Sequence, residues 1–174
     1  LRCYKYIFFI CIKTKIYHMK KLSFIVIILL ILNAKVSAEE ILGFPVITDG
    51  DTIKILNNRI RLHGIDAPEK KQKCKKNSKE YNCGVAATRA LIQKIKKNIV
   101  KCIVQENKDR YNRFIGVCFV EQENLNKWMV KNGYAVAYRR YSKDYILDEE
   151  FAKKNKLGLW SGTFLSPNKW RKLN

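Results

Sequence analysis

No Cys-x-x-Cys pair occurs in this 174-residue chain, and histidine is reduced to His18 and His63. A zinc site assembled from paired cysteines and imidazoles is therefore disfavoured. Acidic residues are also scarce, 15 against 35 lysines and arginines, and the first 38 residues contain none. No repeat or low-complexity linker interrupts residues 39–174, so nothing there divides the chain into several domains. The strongest apolar run, Leu22 to Leu32, falls short of the about 20 residues that a membrane-spanning helix needs.

That run has a different context. Met19-Lys20-Lys21 provides a basic start, and Val36-Ser37-Ala38 ends the segment with small residues at its last and third-from-last positions. Basic start, short apolar stretch and small-residue exit read as a secretory signal peptide over residues 19–38, the alternative being an uncleaved N-terminal anchor. Leu1 to His18 precede the methionine at which such a peptide would begin; they are read as an upstream extension without assigned fold or function. The remaining 39–174 are expected to form one domain and to act as a monomer outside the cell or in the periplasm, free of the membrane. They hold 28 basic and 15 acidic residues, a net charge of +13. Such a surplus favours polyanions, nucleic acid first, although charge alone would equally fit a soluble basic protein or one drawn to anionic lipid.

Four cysteines remain in 39–174: Cys74, Cys83, Cys102 and Cys118. In an exported chain an even number points to disulfides, and four allow three pairings. Cys74–Cys83 would staple a lysine-rich loop (residues 70–79) to the start of a helix. Cys102–Cys118 would cross a hairpin if its register fits. These two are the favoured pairs.

Phe44 to Ile47 is a short apolar run that ends in the turn signal Thr48-Asp49-Gly50-Asp51. Thr52 to Ile55 alternates as a strand, Asn57-Asn58 turns, and Arg59 to Ile65 alternates again. From Gly84 to Lys97, Ala87, Leu91 and Ile95 recur every fourth residue and predict an amphipathic helix. Ile99 to Val104 and Phe114 to Val120 predict a hairpin. Asn124 is placed to cap a helix carrying Leu125, Trp128 and Met129 and stopped by Gly133. Tyr134 to Tyr138 reads as a short strand. A last helix begins near Ser142 or Asp144, with acidic residues early, lysines late and Gly158 beyond. The expected fold class is mainly β with α (α+β). Its expected form is a five-stranded Greek-key barrel of the oligonucleotide/oligosaccharide-binding (OB) type with three flanking helices.

Between residues 49 and 69 lie Asp51 after a turn, Arg61 within a strand, and Asp66 and Glu69 just beyond it, with Pro68 stiffening the corner that projects Glu69. Neighbouring antiparallel strands can bring Asp51 beside Asp66, and Arg113, across the later hairpin, can reach over. Cleaving a phosphodiester calls for this set. Charge on the non-bridging oxygens needs a metal ion or arginines, and a water must be aligned or deprotonated, commonly by a carboxylate. Singly, each residue has a plainer reading. Asp49-Gly50 makes a turn, Arg61 fits a strand surface, and 66–69 fits a helix-start corner. His63 reads as structural or surface, and Trp128 and Trp160 as core. Taken together and in order, the five residues point to a site.

Val46 to Thr52, Arg61 to Glu69, Asp109-Arg110-Tyr111-Asn112-Arg113 and Gly158-Leu159-Trp160 together resemble the thermonuclease (staphylococcal-nuclease-like) family over about residues 44–162. The resemblance implies one calcium ion held by Asp51, Asp66 and the backbone carbonyl of Ala67, a position where the family usually has threonine. It implies Glu69 as the carboxylate that orients or deprotonates water. It implies Arg61 and Arg113 as the arginines that grip the scissile phosphate. Tyr138, Arg110 and Tyr111 fall where the family contacts a terminal phosphate and a base. The implied activity is cleavage of DNA and RNA with little sequence preference, leaving 3′-phosphates. Asn112 replaces the usual glycine before Arg113; asparagine tolerates the left-handed backbone, so the turn is expected to persist. The rival readings are an inactive OB-type module that binds single strands and a basic membrane-surface or scaffold protein.

Overall fold

The structure, a computed structural model, describes residues 39–174; the signal-peptide and upstream-extension readings of 1–38 lie outside the described residues. Turn chemistry and apolar alternation set the strands. β1 (Glu39–Gly43) and β2 (Pro45–Ile47) flank Phe44, and β3 (Thr52–Ile55) and β4 (Asn58–Leu62) form a tight hairpin. A two-residue β5 (Ile65–Asp66) follows at once. β6 (Cys74–Lys76) and β7 (Lys79–Tyr81) form a second hairpin. β8 (Val100–Val104), β9 (Phe114–Val120), β10 (Glu123–Asn124) and β11 (Val136–Ala137) complete the set. The main sheet runs β1-β8-β9-β4-β3-β2, with β10 on β9. Because β1 and β2 stand at opposite ends of that order and only Phe44 separates them in sequence, the sheet must curl on itself.

Ile53, Ile55, Ile60 and Leu62 alternate inward from the β3–β4 hairpin and are fully buried. They meet Ala87, Leu91 and Ile95, the apolar stripe of α1 (Cys83–Ile95), which the four-residue spacing foretold. α2 (Leu125–Lys131) is capped by Asn124, whose side chain accepts from the Lys127 N–H at 2.9 Å, and Gly133 at φ +73° ends it. α3 (Ile146–Lys154) follows, then a 3₁₀ turn (Gly158–Ser161) and α4 (Pro167–Leu173). The architecture is thus a mixed α+β domain with one curled sheet. It has more strands than the five expected and a fourth helix in place of three. Among the described residues no helix is long and apolar enough to cross a membrane.

Both favoured bridges are present. Cys74–Cys83 ties the β6–β7 hairpin to the first turn of α1, and Cys102–Cys118 joins residues directly opposite on β8 and β9. The lysine-rich stretch is therefore partly a hairpin, not a plain loop. Trp128 stacks on Tyr134 with ring centroids 5.6 Å apart, and Trp160 meets Phe164 edge-on at 4.9 Å.

Two pairings bring distant segments to one place. β4 runs parallel to β9 with Ile60 opposite Phe114, which sets Arg113 beside the strand that carries Arg61. β11 pairs β5 with Val136 opposite Asp66, and Tyr138, two residues on, donates its backbone N–H to the Gly64 carbonyl at 2.9 Å. β11 is held from behind by Glu149 of α3, a buried carboxylate that accepts the Ala137 N–H at 3.0 Å and pairs with Arg139 and Lys153, each at 2.7 Å. Burial works against its charge, but Arg139, Lys153 and that N–H outweigh it and hold the carboxyl below its ordinary value of 4.5. A depressed carboxyl stabilises the fold above its unfolded value and ceases to do so as pH falls through its folded one. Glu149→Ala is expected to cost about 1–3 kcal/mol at neutral pH, since it leaves a buried N–H unpaired. The deficit should shrink below pH 4.5. Urea titrations of both proteins across that range would check it, and a deficit unchanged by acid would contradict the account.

Candidate active site

Asp51 sits at the end of the Thr48–Asp51 turn and is held from two sides. Its backbone N–H donates to Asp49 Oδ1 at 3.0 Å, and its Oδ2 accepts the Ala67 N–H at 2.9 Å. Asp49 thus acts as the turn residue that the sequence reading preferred, and burial raises its carboxyl above the usual range. Asp66, on β5, is 1% exposed. Between the two stands Arg61, with Nη1 against Asp51 Oδ1 and Nη2 at 3.0 Å from Asp66 Oδ1. Burial pushes the Arg61 guanidinium below its ordinary value; the Asp66 charge opposes this, while the like charges of Arg113 and Arg171 add to it.

Glu69 projects from the corner after Pro68. Its backbone N–H donates to the buried Gln72 side chain at 3.3 Å. Gly84 at the start of α1 permits this arrangement, because a Cβ there would lie 1.8 Å from the Glu69 carbonyl oxygen. Arg113 arrives with its counter-charge in place. Asp109 accepts from its Nε at 2.9 Å, its Nη2 at 2.7 Å and its backbone N–H at 3.0 Å, and Nη1 reaches the Thr52 hydroxyl at 3.3 Å. These bonds outweigh burial and hold the Asp109 carboxyl below the usual range. Asn112 takes φ +58°, the left-handed conformation expected of it. The planes of Arg110 and Arg113 lie over the Tyr111 ring, 4.9 and 5.2 Å from its centroid. Tyr138 meets Tyr141 edge-on at 4.8 Å.

Asp51, Arg61, Glu69, Arg110, Tyr111, Arg113 and Tyr138 all open on one cleft of about 1180 Å³, with Ala67 in its wall; Asp66 does not line it but is bonded to Arg61 and Arg171, which do. The five side chains on which the sequence reading rested therefore converge. His63 borders the same cleft, while its backbone is locked to Gly116 and Asn126.

Three participants were not foreseen. Asp109 lies in a quoted motif, and its four-residue spacing from Arg113 was the available signal. Gln72 gave none. Arg171 on α4 places Nη1 and Nη2 each 3.0 Å from the two oxygens of Asp66, and Nη1 2.9 Å from Glu69 Oε1. Pro167 at a helix start and basic residues in its last turn signalled the helix. Nothing in the sequence signalled a contact across 105 residues.

Two carboxylates converge here, not three; among the described residues no larger group of carboxylate, thiolate or imidazole ligands forms. Asp51 and Asp66 are nearly buried and are matched by guanidinium groups, as buried anions must be by some positive charge. The ligands implied by the resemblance, Asp51, Asp66 and the Ala67 carbonyl, are all oxygens, which suits a hard cation such as calcium and not a soft one.

A curled sheet carrying a cleft with facing arginines and buried carboxylates is an OB-fold-like arrangement. Comparison with known proteins makes the class definite. Residues 59–162 match the family described as "Staphylococcal nuclease homologue". The chain is 35% identical over 141 residues to an uncharacterized endonuclease of Haemophilus influenzae, covering 72% of this chain and 70% of that protein. It is 34% identical over 145 residues to a micrococcal nuclease of Shigella flexneri, covering 72% and 77%. It is also 34% identical over 127 residues to the succinoglycan biosynthesis protein ExoI of Rhizobium meliloti, covering 71% of this chain and 66% of that one. The chain belongs to the staphylococcal-nuclease-like family.

Proposed function

We propose that this protein is an exported, calcium-dependent nuclease of the micrococcal type. It hydrolyses phosphodiester bonds of DNA and RNA with little sequence preference and leaves 3′-phosphates. The observation that carries the reading is the meeting of Asp51, Glu69, Arg61 and Arg113 around one cleft, with the buried Asp66 bonded to Arg61. Asp51, Asp66 and the Ala67 carbonyl would hold the ion, which when bound supplies positive charge to a phosphoryl oxygen. Glu69, at the cleft surface, aligns a water and takes its proton as the oxygen attacks phosphorus. Arg61 and Arg113 donate to the non-bridging oxygens, where charge grows as the bond to the 5′-oxygen breaks and that oxygen leaves as a hydroxyl, taking a proton from solvent. Tyr138 and the Arg110–Tyr111 pair border the cleft where a terminal phosphate and a base would lie. Export fits the two disulfides, which persist in oxidising compartments.

An inactive binding module has less support, since buried carboxylates in the floor of a polyanion's groove would repel the ligand unless they held a cation. The test is the purified protein mixed with denatured DNA or with RNA, with calcium, without it, and after a chelator. Cleavage that appears with calcium and stops with chelation is expected. Binding without cleavage would favour the module, and cleavage indifferent to the chelator would remove the metal from the account.

A further inference from the structure

The family match ends at residue 162, yet the chain beyond it forms part of the cleft wall. That segment is anchored. Lys75 and Thr163 exchange two backbone hydrogen bonds of 2.9 Å, and the buried Gln72 donates to the Leu165 carbonyl at 2.7 Å. The chain then turns at Pro167 into α4, which sets Asn168, Arg171 and Lys172 along the cleft. Arg171, one-third exposed at the side chain, lays its fork on Asp66 and reaches Glu69.

We infer that Arg171 is a further substrate-binding residue, a third guanidinium that grips the phosphate backbone of the bound strand beside Arg61 and Arg113. The inference rests on the nuclease reading and deepens it. Asp66 and Glu69, the partners Arg171 now holds, both have other duties in that reading. Were Asp66 to hold a divalent ion, the ion would compete with the Arg171 guanidinium for the same carboxylate. Arg171 would then be free to donate to a phosphate, whose oxygens suit the same planar donors. The half-buried side chain stands in the last turn of a short helix, so its head can turn from carboxylate to phosphate while Gln72 and Thr163 keep the helix seated. Lys172 extends the positive wall along the strand.

The experiment uses the full protein and a deoxynucleoside 3′,5′-bisphosphate, which carries a phosphate on each side of one sugar and no diester to cleave. Its affinity is measured calorimetrically at saturating calcium, and calcium alone is titrated separately. Arg171→Ala is expected to bind the bisphosphate about tenfold more weakly, the loss of a charge-assisted contact. It should bind calcium at least as tightly as the wild type, having lost a competitor for Asp66. Bisphosphate affinity within about twofold of wild type would overturn the inference, whatever calcium does, and leave Arg171 as a partner of empty carboxylates only. Should the alanine variant not fold, Arg171→Lys keeps the charge and loses the fork: affinity about threefold weaker or more supports the inference, and unchanged affinity overturns it. A wild type that takes up no bisphosphate with calcium present would remove the nuclease reading along with this one.

Discussion

Glu69→Gln should lower turnover on single-stranded DNA by about 10²–10⁴-fold, the range in which a positioned general base contributes. The amide keeps the shape and the Gln72 tether, because that hydrogen bond is made by the Glu69 backbone. What it loses is the ability to take a proton from water. Glu69 is partly exposed and makes one side-chain ion pair, with Arg171, so the melting temperature should stay near that of the wild type. Affinity for uncleaved DNA should not fall, because the substitution removes no positive charge that holds the strand. Steady-state rates, a thermal melt and a binding titration on the same preparation decide the matter. Turnover within a few-fold of wild type would show that the water is activated by something else.

The second large effect is expected from Arg113→Ala, a fall in turnover of about 10²–10³-fold, as for removal of one preorganised donor to a developing charge. The structure sharpens this expectation. Asp109 holds the Nε and Nη2 of Arg113 along one edge, Nη1 donates to the Thr52 hydroxyl, and the residue lines the cleft. A lysine cannot reproduce an edge-on pair to Asp109 and a separate donor to phosphate, so Arg113→Lys should recover little. Recovery to near wild-type rates with lysine would mean that charge alone suffices, and that the Asp109 clamp is dispensable.

Much of this site could be read from the sequence because its elements are local. The turn at 48–51, the alternating strand around Arg61 and the corner at 66–69 lie within some twenty residues, where spacing translates directly into geometry. The β4–β9 pairing that brings Arg113 across is parallel and joins segments with no shared turn. The sequence allowed Arg113 to reach over from the later hairpin but carried no sign of the parallel pairing that brings it. The N-cap at Asn124, the stripe on α1 and the left-handed Asn112 followed from backbone preference and were found as expected. The β6–β7 hairpin was missed because its residues are charged and mostly exposed, so no apolar period marks it; a bridge and the pairing with Thr163 hold it instead. The β11–β5 ladder has two residues on each side and owes its place to Glu149, a tertiary contact that no window of sequence contains.

The two bridges close short loops, with sequence separations of 9 and 16. In either of the other two pairings, every bridge would join cysteines further apart than these. The chance that two points on a flexible chain meet falls with the length between them. On the export proposed above, the four cysteines of residues 39–174 in a reduced, still unfolded chain therefore encounter their native partners most often before any tertiary structure exists. Random-coil statistics and the finished fold select the same thiol pairs, so correct oxidation does not have to wait for the sheet.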